Sequence, residues 1–140
     1  MYADYSFYQS HYYNSIQTEA EFNRLATRAS DYLDFITAGK AAGYSDTAPA
    51  AGLEALKKCC CSLADQFQLI EKTNAFARSS EGTLASETVG SHSRSFRSGA
   101  ELVAEQNVQL KGIATQFLWN TGLLYRGVGC CVHAAHCDVI

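Results

Sequence analysis

The stretch TEAEFNRLATRASDYLDFITAG, residues 18–39, decides the fold. Thr18 stands three residues before Glu21, the spacing of a capping box, in which a hydroxyl and a carboxylate satisfy backbone donors at a helix start. Behind this cap, Phe22, Leu25, Ala29, Tyr32 and Ile36 recur in steps of three and four. That spacing places all five on one helix face. Gly39 and Gly43 are expected to end the helix. A helix with one apolar stripe must bury it against another element, so the flanking chain should supply partners of the same kind.

It does so on both sides. Upstream, YADYSFYQSHYY (residues 2–13) is rich in aromatics and reads as a short helix or turn packing back on the bundle. Downstream, AAGYSDTAPAAG (41–52) reads as a loop, with Pro49 near the start of a second helix. That helix carries Leu53, Leu56, Cys60, Leu63, Phe67 and Ile70, again stepping by three and four. The periodicity accounts for Cys60 as a small core hydrophobe, with Cys59 and Cys61 about 100° to either side, so Cys59–Cys61 is expected to be a buried helix face. A third helix is expected from about Ala100 to Thr121, with Val103, Gln106, Leu110, Ile113 and Phe117 in its seam and Gly122 as its C-cap. Gly112 within it suggests close approach of another backbone.

Between the second and third helices lies a different composition. TNAFARSSEGTLASETVGSHSRSFRSG (73–99) is rich in Ser, Thr and Gly and has no helical period. Segments of this length without structure are uncommon in compact domains and usually serve a function. TLASETV and HSRSFRS flank Gly90-Ser91, a weak β-hairpin signal. Leu84, Val89 and Phe96 are its strongly apolar residues, and we read them as contacts of the arm in an oligomer. The fold class is therefore all-α: a small bundle of three longer helices plus a short N-terminal one, with a long arm at about 73–99. A single domain is expected over residues 1–140, with a tail from about residue 127.

Composition is consistent with this. The chain has 140 residues, long enough to bury about two-thirds of its unfolded surface. A hydrophobic share of 47% and a charged share of 18% place it among globular rather than disordered chains. A net charge of −3 is too mild to argue for nucleic acid. The N-terminus lacks the basic and apolar regions of a signal peptide, and no apolar run is long enough to span a membrane, so neither secretion nor a membrane is expected. The six cysteines, grouped as 59–61, 130–131 and 137, are then expected as thiols.

Catalytic chemistry is sparse. AGKAAG (38–43) lacks the full glycine and hydroxyl pattern of a phosphate-binding loop. Ser91, His92 and Ser93 are adjacent, but neighbours in an extended segment point to opposite faces, so His92 is poorly placed to serve either serine. Asp31 and Asp34 share a helix face with Arg28 and read as solvated. Arg94, Phe96 and Arg97 are too few for a nucleic-acid patch. His11 lies among aromatics and reads as surface or interface. The one dense cluster is GCCVHAAHCDVI, residues 129–140. Cys130, His133 and either His136 or Cys137 would share a face of a helix, a weak candidate metal site whose natural ion is zinc. All its ligands crowd into one short tail, whereas closed sites usually draw pairs from separate segments. We therefore expect no metal and no cofactor, and we read the chain as no enzyme.

The stretches YADYSFYQSHY, EFNRLATRASDYLDFIT, ALKKCCCSLADQF, ASETVGSHSRSF and TQFLWNTGLLYRGV, in this order, resemble the small head–tail connector (head-completion) proteins of long-tailed phages and prophages of Gram-positive bacteria. The resemblance spans most of the chain and brings no catalytic residues. It implies a structural virion protein that forms a homo-oligomeric ring beneath the portal. Such a ring extends the DNA channel without binding DNA specifically and docks the next neck or tail-completion component. It implies location in the virion neck, and in the host cytoplasm before assembly. Two other function classes remain open on the residues alone. One is a small metal-binding or thiol-redox module built on Cys130, His133, His136 and Cys137; the other is a helical adaptor for a host protein.

Overall fold

A computed structural model describes residues 1–13, 15–79, 86–89, 92–95 and 99–125. Its elements in chain order are α1 (Tyr5–His11), α2 (Glu19–Ile36), α3 (Lys40–Thr47), α4 (Ala50–Ser79), β1 (Ser86–Val89), β2 (His92–Ser95) and α5 (Gly99–Leu118). The architecture is an all-α bundle with α4 at its centre, packed chiefly against α2 and α5. No helix among the described residues is long and apolar enough to cross a membrane.

Helix α2 starts at the expected cap: the Thr18 hydroxyl accepts from Glu21 N at 3.3 Å. The Glu21 carboxylate instead accepts from Gln68 Nε2 of α4 at 3.1 Å, so the second half of the capping box is used to tie two helices together. Phe22, Leu25 and Ala29 are fully buried, and so are Ala26 and Leu33, while Tyr32 and Ile36 are half-buried. The buried face is thus broader than the five-residue stripe and turned toward Leu33. The N-terminal segment is the reason, because it covers a second side of α2. Tyr2 N donates to Ser30 Oγ at 3.1 Å, and the Tyr2 hydroxyl donates to Asp34.

That segment is anchored by its tyrosines. Asp4 caps α1, accepting from Phe7 N at 2.8 Å. Tyr8 is completely buried, its ring 4.8 Å from Phe22 and 5.5 Å from Tyr12, and its hydroxyl donates to Asp65 Oδ1 at 2.6 Å while accepting from Ile16 N at 3.2 Å. Burial pushes the Tyr8 hydroxyl up to about 12, and Asp65 reinforces the shift by accepting the proton's hydrogen bond. The Tyr12 hydroxyl donates to Lys58 O at 2.8 Å.

The expected loop at 41–52 is a correction: residues 40–47 form α3. Thr37, buried at the end of α2, donates to Leu33 O at 2.8 Å and accepts from Ala41 N at 3.3 Å, so one hydroxyl closes α2 and holds the first turn of α3. Ala38 and Gly39, both at positive φ, make the link. Gly43 falls inside α3 rather than ending α2. Ala41 buries into the core. Gly52 of α4 lies against the Tyr44 side chain of α3: a Cβ there would lie 2.1 Å from the Tyr44 hydroxyl oxygen and displace it.

Helix α4 begins directly after Pro49, where a missing N–H costs nothing, and continues through Ser79. The arm's start near residue 73 is therefore also corrected. Asn74 accepts from Gln106 Nε2 of α5 at 3.2 Å, a cross-helix bond that extends the pairing of α4 with α5 past the polar sequence. Cys59, Cys60 and Cys61 are all fully buried, so α4 is enclosed around its whole circumference at this turn. Cys60 lies 3.7 Å from both Ser30 Oγ and Ala26 O. Burial pushes the Cys59 thiol up to about 12, and raises Cys60 and Cys61 as well. Thiols that are both buried and protonated are poor nucleophiles. Mass-mapped alkylation of the native protein should leave all three unlabelled and label them only on unfolding; labelling at the rate of free cysteine would contradict this packing.

On the outer side of α2 and α4, Arg24 donates twice to Glu71, at 2.8 and 2.7 Å, and Arg28 adds a bond at 3.1 Å. The Arg24 bonds hold Glu71 below its ordinary carboxyl range. A lowered pKa means that this stabilisation is present above the unfolded value near 4.5 and is lost as pH falls through the folded one. All three side chains are partly exposed, which limits the effect. Glu71→Gln should cost about 0.5–1 kcal/mol near pH 7 and almost nothing near pH 3, read from urea midpoints. An equal difference at both pH values would show that the ion pair is not responsible.

Helix α5 packs through Leu110, Ala114 and Leu118, with Leu102, Gln106, Ile113 and Phe117 half-buried. Val103 is a correction: it is 55% exposed, because the seam in this half of α5 runs through Leu102 and Gln106 instead. The expected end near Thr121 with Gly122 as cap is a correction: α5 ends at Leu118, and Gly122, at φ +75°, lies in the turn beyond it.

Candidate interaction surfaces

The arm is the first candidate. Strands β1 and β2 pair antiparallel, with Ser86 opposite Ser95, Glu87 opposite Arg94, Thr88 opposite Ser93 and Val89 opposite His92. Residues 90 and 91 join them, as the Gly90-Ser91 signal suggests. The hairpin's close pairing is with itself, while the helices pack among themselves. Of the residues expected to make arm contacts, Val89 closes the ladder beside the turn, and Leu84 and Phe96 lie outside the described residues. His92 and Ser93 occupy successive positions of β2.

The hairpin springs from the ends of α4 and α5. There, a narrow groove of about 170 Å³ runs between the two helices, lined by Leu69, Ile70 and Thr73 on one side and Leu102, Glu105 and Gln109 on the other. Gln66 Nε2 donates to Gln109 Oε1 across it at 2.8 Å. Leu69 and Val103 stand exposed nearby.

A larger cleft opens on the opposite flank, between α2 and α5. It encloses about 740 Å³ and is lined by Tyr32, Phe35 and Ile36 of α2, by Asn107, Lys111, Ala114 and Thr115 of α5, and by Leu124 beyond it. Phe35 is 75% exposed, Val108 of α5 is 71% exposed, and Trp119, just past the end of α5, is 74% exposed. Gly112 lies between Val108 and Trp119. A Cβ there would meet nothing within 4 Å, so the expectation of a close backbone contact at Gly112 is corrected: that face is open. Sequence reading missed this cleft. The available signal was that Val108 and Trp119 fall off the periodic seam of α5.

The remaining candidate residues do not converge. Asp34 is engaged by the Tyr2 hydroxyl, and Arg28 turns to Glu71 and lies 4.4 Å over the Phe67 ring. His11 is exposed and stacks on Phe7 at 4.1 Å. No cluster of three metal-ligating side chains exists among the described residues. Cys130, His133, His136 and Cys137 lie outside them. Comparison with protein families, with characterised proteins and with solved structures finds no match for this chain.

Proposed function

We propose that this chain is a structural head–tail connector subunit, one that self-associates into a ring beneath a portal and presents a surface to the next neck or tail component. The observation that carries the reading is the antiparallel hairpin that the chain inserts between its two longest helices, α4 and α5. A two-stranded hairpin is marginal in water by itself and gains most from a surface outside its own subunit. Both its strands are edges, and an edge with free backbone groups is a template for pairing with another chain. The exposed apolar residues on α5 fit the same role. In this reading the protein performs no catalysis and DNA passes it without specific contacts.

Light scattering over a rising concentration series, alone and with assembled portal, tests the proposal. Oligomers, or rings formed on the portal, are expected. A strict monomer at millimolar concentration that also fails to assemble on portal would overturn it.

A further inference from the structure

We propose that the cleft between α2 and α5 binds a small amphipathic carboxylate, its apolar body against the α2 wall and its anionic head at Lys111 of α5. The inference goes beyond the connector reading and does not depend on it.

Two unlike walls face each other across this cleft. The α2 wall is aromatic and aliphatic, made by Tyr32, Phe35 and Ile36, and Phe35 remains largely in water. An aromatic ring left so exposed forgoes the stabilisation that burial would give it. The α5 wall is polar. Asn107, Lys111 and Thr115 follow one another in steps of four, so they form a single row about 12 Å long on one helix face. Ala114 and Leu124 add apolar surface to the lining. The space of about 740 Å³ falls within the range of about 300–1,000 Å³ typical of small-molecule sites, which are mostly apolar with a few converging polar groups.

The polar row selects the ligand. The Thr115 hydroxyl already donates to Lys111 O at 2.8 Å. The Asn107 amide and the Lys111 ammonium make no side-chain hydrogen bond or ion pair with any described residue. No carboxylate is among the described residues lining the cleft, and Asp34 of α2 is engaged by the Tyr2 hydroxyl instead. A single uncompensated cation beside an apolar wall favours a ligand that is hydrocarbon along its length and negative at one end. A neutral apolar ligand would leave the ammonium unpaired. A doubly charged head such as a phosphate would meet only one cation among the lining residues. A carboxylate matches what is present: one oxygen for the Lys111 ammonium and one for the Asn107 amide, a turn away on the same helix face.

Isothermal titration calorimetry on the full chain tests this with octanoate and 2-naphthoate, which separate an aliphatic from an aromatic body, and with 1-octanol as the uncharged control. Saturable one-to-one binding of at least one acid is expected, about tenfold or more tighter than the alcohol. Lys111→Gln should weaken the acid about tenfold and leave the alcohol unchanged. Phe35→Ser should weaken acid and alcohol alike, because it removes apolar wall and no charge. Both positions are exposed, so helical circular dichroism should be kept. Absence of saturable binding by the full chain would overturn the proposal. Equal affinity for acid and alcohol would do the same, as would a Lys111→Gln variant that binds the acid undiminished. Affinity for the acid that falls as the protein is concentrated would also overturn it, by assigning the cleft to a second copy.

Discussion

A chain in which residues 80–98 are replaced by a short Gly-Ser link should keep its helical circular dichroism and lose its ability to assemble. The expectation follows from how the chain divides its contacts. Among the residues whose burial is described, the core is built from the N-terminal segment, α2, α3, α4, α5 and the turn after it. Helices α4 and α5 pack on each other through Ile70, Gln106 and Leu110 and carry a Gln66–Gln109 bond, so they meet without help from what joins them. Lengthening or shortening a connection changes closure entropy by only about 0.6 kcal/mol per doubling, so the bundle should tolerate the exchange. Assembly, on the proposed reading, depends on the removed part and should fall to nothing in light scattering. A shortened chain that still forms rings would remove the arm from the interface. One that loses its helical signal would show instead that the arm supports the fold.

The second large effect lies at Tyr8. Tyr8→Ala removes a fully buried ring from between Tyr5, Tyr12 and Phe22, and such truncations cost about 3–5 kcal/mol. It also strips Ile16 N–H and Asp65 of the hydroxyl they share. Burial already raises the Asp65 carboxyl above its ordinary value, with the Tyr8 hydrogen bond working against that shift, so its ionised form would be left worse placed. Against a domain stability of about 5–15 kcal/mol, this single change should leave the protein close to unfolding. Tyr8→Phe separates the contributions: it keeps the ring and should cost about 1–3 kcal/mol through the unpaired groups alone. Urea midpoints for both variants measure this. An alanine variant within about 1 kcal/mol of the parent would mean that the N-terminal segment contributes little to the fold.

The core of each long helix was legible in the sequence because periodicity directly records burial. Phe22, Leu25 and Ala29 on α2, Leu56 through Ile70 on α4 and Leu110 on α5 all lie where the three-and-four rule puts them. What escaped was set by tertiary contacts that leave no period. Helix α3 rests on one hydroxyl, Thr37, and one buried alanine. The last turns of α4 have a loop-like composition and are held by Asn74 against Gln106. Val103 satisfies the period and is still exposed, since a pattern shows which residues can face a neighbour and not whether the neighbour extends that far. The cleft between α2 and α5 was invisible for a related reason: its walls come from two helices separated by the whole of α4 in sequence. The proposed arm contacts Leu84 and Phe96, and the tail cluster, were conspicuous in sequence by composition alone.

Three consecutive thiols in one turn of a central helix look outward in three directions. Cys60 faces Ala26 and Ser30 of α2, Cys59 lies toward Tyr32, and Cys61 lies toward Tyr12, Asp4 and Asp65 beneath the N-terminal segment. The covers overlap, because the Tyr2 and Ala3 amides also donate to Cys60 and Tyr12 lies near Cys59 as well as Cys61. The native sequence therefore contains its own reporters of opening at the turn where α2 and the N-terminal segment both close over α4. Labelling of this turn would therefore report the joint release of α2 and the first thirteen residues, with no residue introduced for the purpose.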